Sequence, residues 1–175
     1  MVVGQPGSGK STFARMLGAA TGLPVVHIDH IHWMDGWVER EAAEKDRLTR
    51  EVHARDAWIF EGGHSRTWPE RLARADTLVW IDVGLALRTW RVLRRVATGY
   101  GRARPDMPAG CPERIDGAFL AFLAFIWRTR RSARARIAAI FADPPPHLAL
   151  HRVTTPAEAR ALVAELSGRS PASAD

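Results

Sequence analysis

Eight residues near the start of the chain, Gly4-Gln5-Pro6-Gly7-Ser8-Gly9-Lys10-Ser11, constrain its fold more than any other feature. They form a complete G-x-x-x-x-G-K-S phosphate-binding loop, a turn that works only between a strand and a helix. Glycines at 4, 7 and 9 let the backbone take turns that side chains would block, so that successive N–H groups point inward as an anion nest. The helix that follows brings its positive end to the same place. Gly4, Gly7, Ser8, Gly9, Lys10, Ser11 and Thr12 are therefore the expected ATP-binding residues. Lys10 is expected to reach the β- and γ-phosphates, and the Ser11 hydroxyl to ligate Mg²⁺. Only three residues precede Gly4, where a strand usually has about five. That shortness fits a truncated or misassigned start.

Along the rest of the chain, short apolar runs alternate with helical stretches, which predicts a parallel sheet covered by helices on both faces. The first strand is the stub before Gly4, and a helix follows from about Lys10 to Ala20. Pro24–Ile28 reads as the second strand, ending at Asp29, and Glu39–Arg55 as a polar helix. Ala57–Phe60 reads as the third strand, closing on Glu61-Gly62-Gly63, and Thr77–Ile81 as the fourth, closing on Asp82. A helix from Leu85 to about Ala97 leads into a Gly/Pro/Arg-rich loop over Gly99–Cys111. Arg114–Ala142 is helical with an expected break near Arg128–Ser132. His147–Val153 is the fifth strand, and Pro156–Leu166 a closing amphipathic helix. Residues 1–168 thus read as one domain, and 169–175 as a frayed tail.

Composition narrows the setting. With a phosphate loop starting at residue 4, no signal peptide is expected. The longest apolar run, Ala118–Trp127, is half of the ~20 residues a membrane span needs. Cys111 is the single cysteine, which excludes an internal disulfide and a cysteine-based zinc cluster. A cytoplasmic enzyme is the expectation. Of the formal charge of +6, the stretch from Leu85 to Ile140 carries +9, with twelve arginines against Asp106, Glu113 and Asp116, which leaves −3 for the remainder. Such a concentration predicts a polyanionic partner at that segment.

In open α/β sheets ligands bind at the carboxyl ends of strands. Glu61, ending an apolar strand, is placed as the acid that holds Mg²⁺ or its water, with a turn or helix-cap carboxylate as the alternative. Asp29 is placed as a general base toward an acceptor, with a simple turn acid as the alternative. Asp82, before Gly84, reads as structural. His27, His30, His32 and His64 lack the spacing of a zinc site and read as hydrogen-bonding or acceptor-pocket residues. Arg88, Arg91 and Arg95 share a helix face, and Arg102 and Arg104 follow in the loop. Arg91, Arg95 and Arg104 are the expected clamp on the migrating phosphoryl group, set against a merely solvated basic face. Phe119, Phe122, Phe125, Ile126 and Trp127 read as core.

These residues resemble the adenylate-kinase-related phosphate-loop proteins known as DNA topology modulation proteins (FlaR-like). Beyond the loop, the resemblance rests on Leu23–Asp29, Trp33 with Gly36-Trp37, and Trp58–Gly62. It continues through Arg71, Ala75-Asp76, Trp90–Arg95, Gly101–Met107 and Gly110–Glu113. It departs from the family at His64 and Arg66, which bear on the acceptor pocket. The resemblance implies a three-layer α/β/α phosphate-loop NTPase with a five-stranded parallel sheet of order 2-3-1-4-5. It also implies an acceptor-side helical region near residues 30–56 and an arginine-bearing lid near 88–131. The expected activity is phosphoryl transfer from ATP to a nucleotide, nucleoside or other small acceptor, with no membrane partner. The alternative is a nucleotide-dependent, DNA-associated regulator with little turnover, for which no DNA-reading motif stands out.

Overall fold

The computed structural model describes residues 1–168. The expected frayed tail, 169–175, lies outside the described residues. In chain order the elements begin with β1 (Val2–Gly4), α1 (Lys10–Thr21), β2 (Val25–His27) and α2 (Ile28–His32). A two-stranded hairpin, β3 (Trp33–Met34) and β4 (Val38–Glu39), leads into α3 (Ala42–His53) and β5 (Ile59–Glu61). Then come α4 (Trp68–Arg74), β6 (Thr77–Ile81), α5 (Leu85–Gly99), α6 (Gly117–Ala142), β7 (Ala149–Val153) and α7 (Pro156–Ser167).

The main sheet is parallel, in the order β2-β5-β1-β6-β7. Its five members alone run second, third, first, fourth, fifth, and the unanticipated hairpin shifts the numbering of the later strands. Side chains alternate across the sheet with the period of two that a pleated strand imposes. Val2, Ile59, Val79, Ile81 and Val153 face α1 and α7, where Phe13, Leu17 and Leu162 meet them. Val3, Leu78 and Trp80 face the other way, onto Trp68 and Ile137. A third cluster, Ile28, Ile31, Val52 and Phe60, seats α2 and α3 beside the sheet. Each fully buried side chain of this size contributes roughly 1.5–3 kcal/mol. The result is three layers, α/β/α.

Local chemistry sets the helix ends. Helix α1 stops at Gly22, which takes φ +73° and returns its N–H to the Gly18 carbonyl at 2.9 Å. Helix α7 starts at Thr155, whose hydroxyl accepts from the Glu158 N–H at 3.2 Å, while Glu158 accepts from the Thr154 N–H at 2.7 Å.

Several details differ from the sequence reading. The second strand stops at His27, and Ile28–His32 winds into a turn of helix because Ile28 and Ile31 share one buried face. The region 30–56 is accordingly a short helix, a hairpin and a longer helix. Helix α4 was not anticipated; it is anchored by Trp68, whose indole N–H donates to the Gly63 carbonyl at 2.9 Å. Helix α6 is unbroken over 26 residues, about 39 Å at the α-helical rise. It overshoots the sheet, so Phe125 and Trp127 are exposed rather than core, and only Ile126 and Ile137 are buried on it. No helix among the described residues is long and apolar enough to cross a membrane.

Candidate active site

The phosphate loop links β1 to α1 and rests on α5. Gly7 has φ +77° and lies against the Arg88 carbonyl, so a Cβ there would meet both a backbone clash and a strained conformation. Gly9, at φ +98°, is the left-handed N-cap from which α1 begins. A Cβ on Gly4 would lie 2.6 Å from Ser8 Oγ and 2.8 Å from the Ile81 carbonyl. The glycine spacing is therefore demanded by contact as well as by turn geometry.

Below the loop, β-sheet register assembles the acid side of the site. In the parallel ladder His27 of β2 and Val2 of β1 both stand opposite Glu61 of β5. Glu61 is fully buried. Its Oε1 accepts from the Ser11 hydroxyl at 3.0 Å and from His27 Nδ1 at 2.7 Å. An ionised carboxylate only accepts, so Nδ1 carries the imidazole proton. Oε2 has Lys10 Nζ at 3.8 Å and no hydrogen-bond donor. Burial pushes the Glu61 pKa upward, but the Lys10 charge and the hydrogen bonds from His27 and Ser11 outweigh it, and the carboxyl ends below its ordinary value. One hydroxyl and one ionised carboxylate with a spare buried oxygen suit Mg²⁺, which takes few protein ligands and completes its shell with phosphate and water. Among the described residues no group of three or more His, Cys, Asp or Glu side chains is placed to hold a metal by itself.

Asp29 lies in the first turn of α2, just past the carboxyl end of β2. It is half-buried, and among the described residues its side chain has no hydrogen-bond or ion-pair partner. Burial raises its pKa above the ordinary carboxylate value, against the pull of Lys10 and Arg104 and with the push of Glu61 and Asp106. The other histidines are engaged: His30 Nε2 lies 3.1 Å from the Pro105 carbonyl, and His64 Nε2 lies 2.6 Å from Asp46 Oδ1.

The arginines divide into two places. Arg91 Nη1 donates to the Ser8 carbonyl at 2.9 Å, which sets its guanidinium over the phosphate loop. Buried Arg88 points at the Pro6 carbonyl. Arg95 and Arg104 are instead drawn to each other by Glu113, whose Oε1 lies 2.8 Å from the Nε of each. Arg104 also holds Asp106 at 2.8 Å, and Asp106 reaches Arg15 of α1 at 3.5 Å. In the sequence Glu113 and Asp106 stand as exceptions to a basic stretch and within the quoted runs Gly101–Met107 and Gly110–Glu113. Their quoted neighbours, Arg104-Pro105-Asp106 and Pro112-Glu113, were the available signal.

The β3–β4 hairpin and the arginine-rich loop are also tied together. Gly36 N–H donates to the Gly110 carbonyl at 2.8 Å, Trp37 Nε1 to the Pro112 carbonyl at 2.9 Å, and Gly110 N–H to Asp35 Oδ1 at 3.2 Å. Beside the loop a cavity of about 330 Å³ opens between Thr12, Met16, Arg91, Thr155, Pro156 and Arg160. Asp82, read as structural, pairs with Arg134 and Arg152 at 3.0 and 2.6 Å.

No protein-family model and no curated protein sequence matches the chain. A candidate kinase from Chloroflexus aurantiacus J-10-fl aligns structurally at 18% identity, covering 95% of this chain and 96% of that one, with a TM-score of 0.52. An unliganded sugar kinase from Janibacter sp. HTCC2649 aligns at 17% identity over 96% of this chain and 88% of that one, with a TM-score of 0.43. The Chloroflexus likeness is one of fold: an α/β chain built on a five-stranded parallel sheet.

Proposed function

We propose that the chain is an ATP-dependent phosphotransferase that passes a phosphoryl group to a nucleotide, nucleoside or other small acceptor. The observation that carries this reading is the joining of Lys10, Ser11 and Glu61 beneath a left-handed glycine loop. Ser11 and Glu61, directly or through water, are the residues that would hold Mg²⁺, which when bound neutralises phosphate charge. The loop N–H groups and Lys10 take the phosphates. The cavity between Met16, Arg91 and Pro156 offers an apolar-walled place for the base. Arg91 already lies over the loop, and Arg95 and Arg104 stand together beyond it, placed to take up charge that spreads on the transferring group.

The likeness in fold to the Chloroflexus protein, itself described as a candidate kinase, supports the same reading. The FlaR-like resemblance adds the rival of a DNA-associated regulator. Against that rival, Arg88 is buried, and Arg95, Arg104 and Arg134 are each paired with a carboxylate. These four of the twelve arginines are thus buried or engaged within the protein. The test is ADP release from Mg·ATP across a panel of small acceptors, with Lys10→Ala as control. Acceptor-stimulated release that the variant lacks is expected. Equal release by both proteins overturns the reading.

A further inference from the structure

Resting on that kinase reading, we infer that the acceptor is an uncharged molecule phosphorylated on an alcohol hydroxyl, as a nucleoside or sugar is, and not one that presents a phosphate. Charge balance around Asp29 is the first ground. A phosphate-bearing acceptor needs cations with charge to spare, as bidentate arginine sites provide. Here Arg15, Arg95 and Arg104 are held by Asp106 and Glu113 at 2.8–3.5 Å. Both carboxylates are buried to about 5% exposure. A phosphate drawing on these arginines would compete with two buried carboxylates for the same guanidinium charge. With Asp29 included, three arginines stand among three carboxylates, so this cluster carries no net positive charge.

The second ground is Asp29 itself. Unlike Asp106 and Glu113, it has no ion pair or side-chain hydrogen bond among the described residues, yet it sits half-buried at the carboxyl edge of the sheet. A phosphate oxygen is already anionic and needs no base, whereas an alcohol must lose a proton as it attacks. An unpaired carboxylate would repel a phosphate and accept that proton. The step balances simply. The alcohol oxygen forms a bond to the γ-phosphorus of ATP, and the bond from that phosphorus to the β,γ-bridging oxygen breaks. ADP leaves with the electron pair, and the alcohol proton passes to an Asp29 carboxylate oxygen and then to solvent.

The test sets the wild-type chain with Mg·ATP against matched pairs: adenosine and AMP, guanosine and GMP, cytidine and CMP, uridine and UMP. D-ribose, D-glucose and glycerol extend the uncharged series. ADP release is expected to be at least tenfold greater with an uncharged compound than with any monophosphate, and ³¹P NMR should show a phosphate monoester. A monophosphate as the better acceptor, a phosphoanhydride product, or no stimulation by any uncharged compound overturns the inference. Asp106→Asn frees arginine charge and should tighten AMP binding at least tenfold over wild type. Wild-type binding of AMP as tight as the variant's also overturns it, and if the variant fails to fold the matched pairs still decide. ATP-dependent thermal stabilisation of the wild type separates the two levels. Its absence overturns the kinase reading, and its presence with monophosphate preference overturns only the acceptor class.

Discussion

Ser11 donates its hydroxyl to Glu61 Oε1 across 3.0 Å, joining the last residue of the phosphate loop to the last residue of the neighbouring strand β5. Two groups so coupled should fail together. Glu61→Gln and Ser11→Ala are each expected to lower turnover by roughly 100-fold, the scale of losing one preorganised electrostatic contact. Both should shift the Mg²⁺ requirement upward. The double variant should lose little more than either single one, since coupled neighbours are not additive. Fully additive losses in kcat would show that the two residues act separately.

Lys10→Ala probes nucleotide binding alone. Lys10 contributes charge at the loop and packs nowhere in the apolar clusters, while Glu61 keeps its bonds to His27 and Ser11. The variant should stay folded by circular dichroism. ATP at a hundredfold its Kd should stabilise the wild type by about 2.7 kcal/mol, and the same ATP should leave the variant's melting temperature unmoved. An unchanged ATP-dependent shift in the variant sinks the phosphate-loop assignment.

Asp29→Asn separates transfer from ATP binding. Loss of a general base lowers turnover by roughly 10²–10⁴-fold, while the ATP-induced melting shift should persist, because Asp29 lies past the end of β2 and outside the phosphate loop. The base works only when ionised, and burial raises its pKa. Wild-type turnover should therefore fall as pH drops through a value above the ordinary carboxylate range, and Asp29→Asn should lack that acid limb. A variant with wild-type turnover would return Asp29 to a turn residue.

The phosphate loop was legible because its spacing is the chemistry: glycine where a Cβ would clash, then lysine and a hydroxyl. The main sheet was legible because buried parallel strands are short apolar runs. The acid side was half legible. Placing Val25-Val26-His27 beside Ile59-Phe60-Glu61 puts His27 against Glu61, but only the pairing of β2 with β5 makes that alignment physical. Glu113 was missed because its partners come from α5 and from a loop nine residues away, which no local pattern reports. Phe125 and Trp127 were misread as core because helical spacing says which residues share a face, not whether the sheet beneath is long enough to cover them.

Arg71 predicts a pH dependence of stability. It is fully buried, with its guanidinium 3.9 Å over the Phe60 ring, and its Nε donates to His53 Nε2 at 3.2 Å. That bond requires a neutral His53, and burial with the Arg71 charge lowers the His53 pKa from 6.5 to about 4. Between these values the unfolded chain binds the proton and the folded chain does not. The contribution is thus fully present above pH 6.5 and is lost as pH falls toward 4. Urea unfolding across that window should show stability falling with acidity. His53→Gln, which keeps an acceptor for Arg71, should flatten this slope, and an identical slope in both proteins would exclude His53 as its source.

The arginines decide between phosphoryl transfer and DNA association. Arg91 bonds the loop at Ser8, while Arg95 and Arg104 converge on Glu113, so each is held by a partner within the protein rather than standing on an open basic face. As a clamp they should matter when ATP and acceptor are both bound, and replacing Arg91, Arg95 or Arg104 by alanine should cut turnover by tenfold or more. Losses in paired variants should be less than additive, because Arg95 and Arg104 share one carboxylate oxygen. As a DNA surface the same arginines would act independently of ATP. Log affinity would then fall by roughly 0.9 per phosphate contact for each tenfold rise in salt. Duplex titrations at several salt concentrations, with and without ATP, distinguish the two patterns. Weak binding at physiological salt, little changed by these substitutions, is expected. Sub-micromolar duplex affinity without nucleotide, lost on replacing these arginines, would reverse the ranking in favour of the DNA-associated regulator.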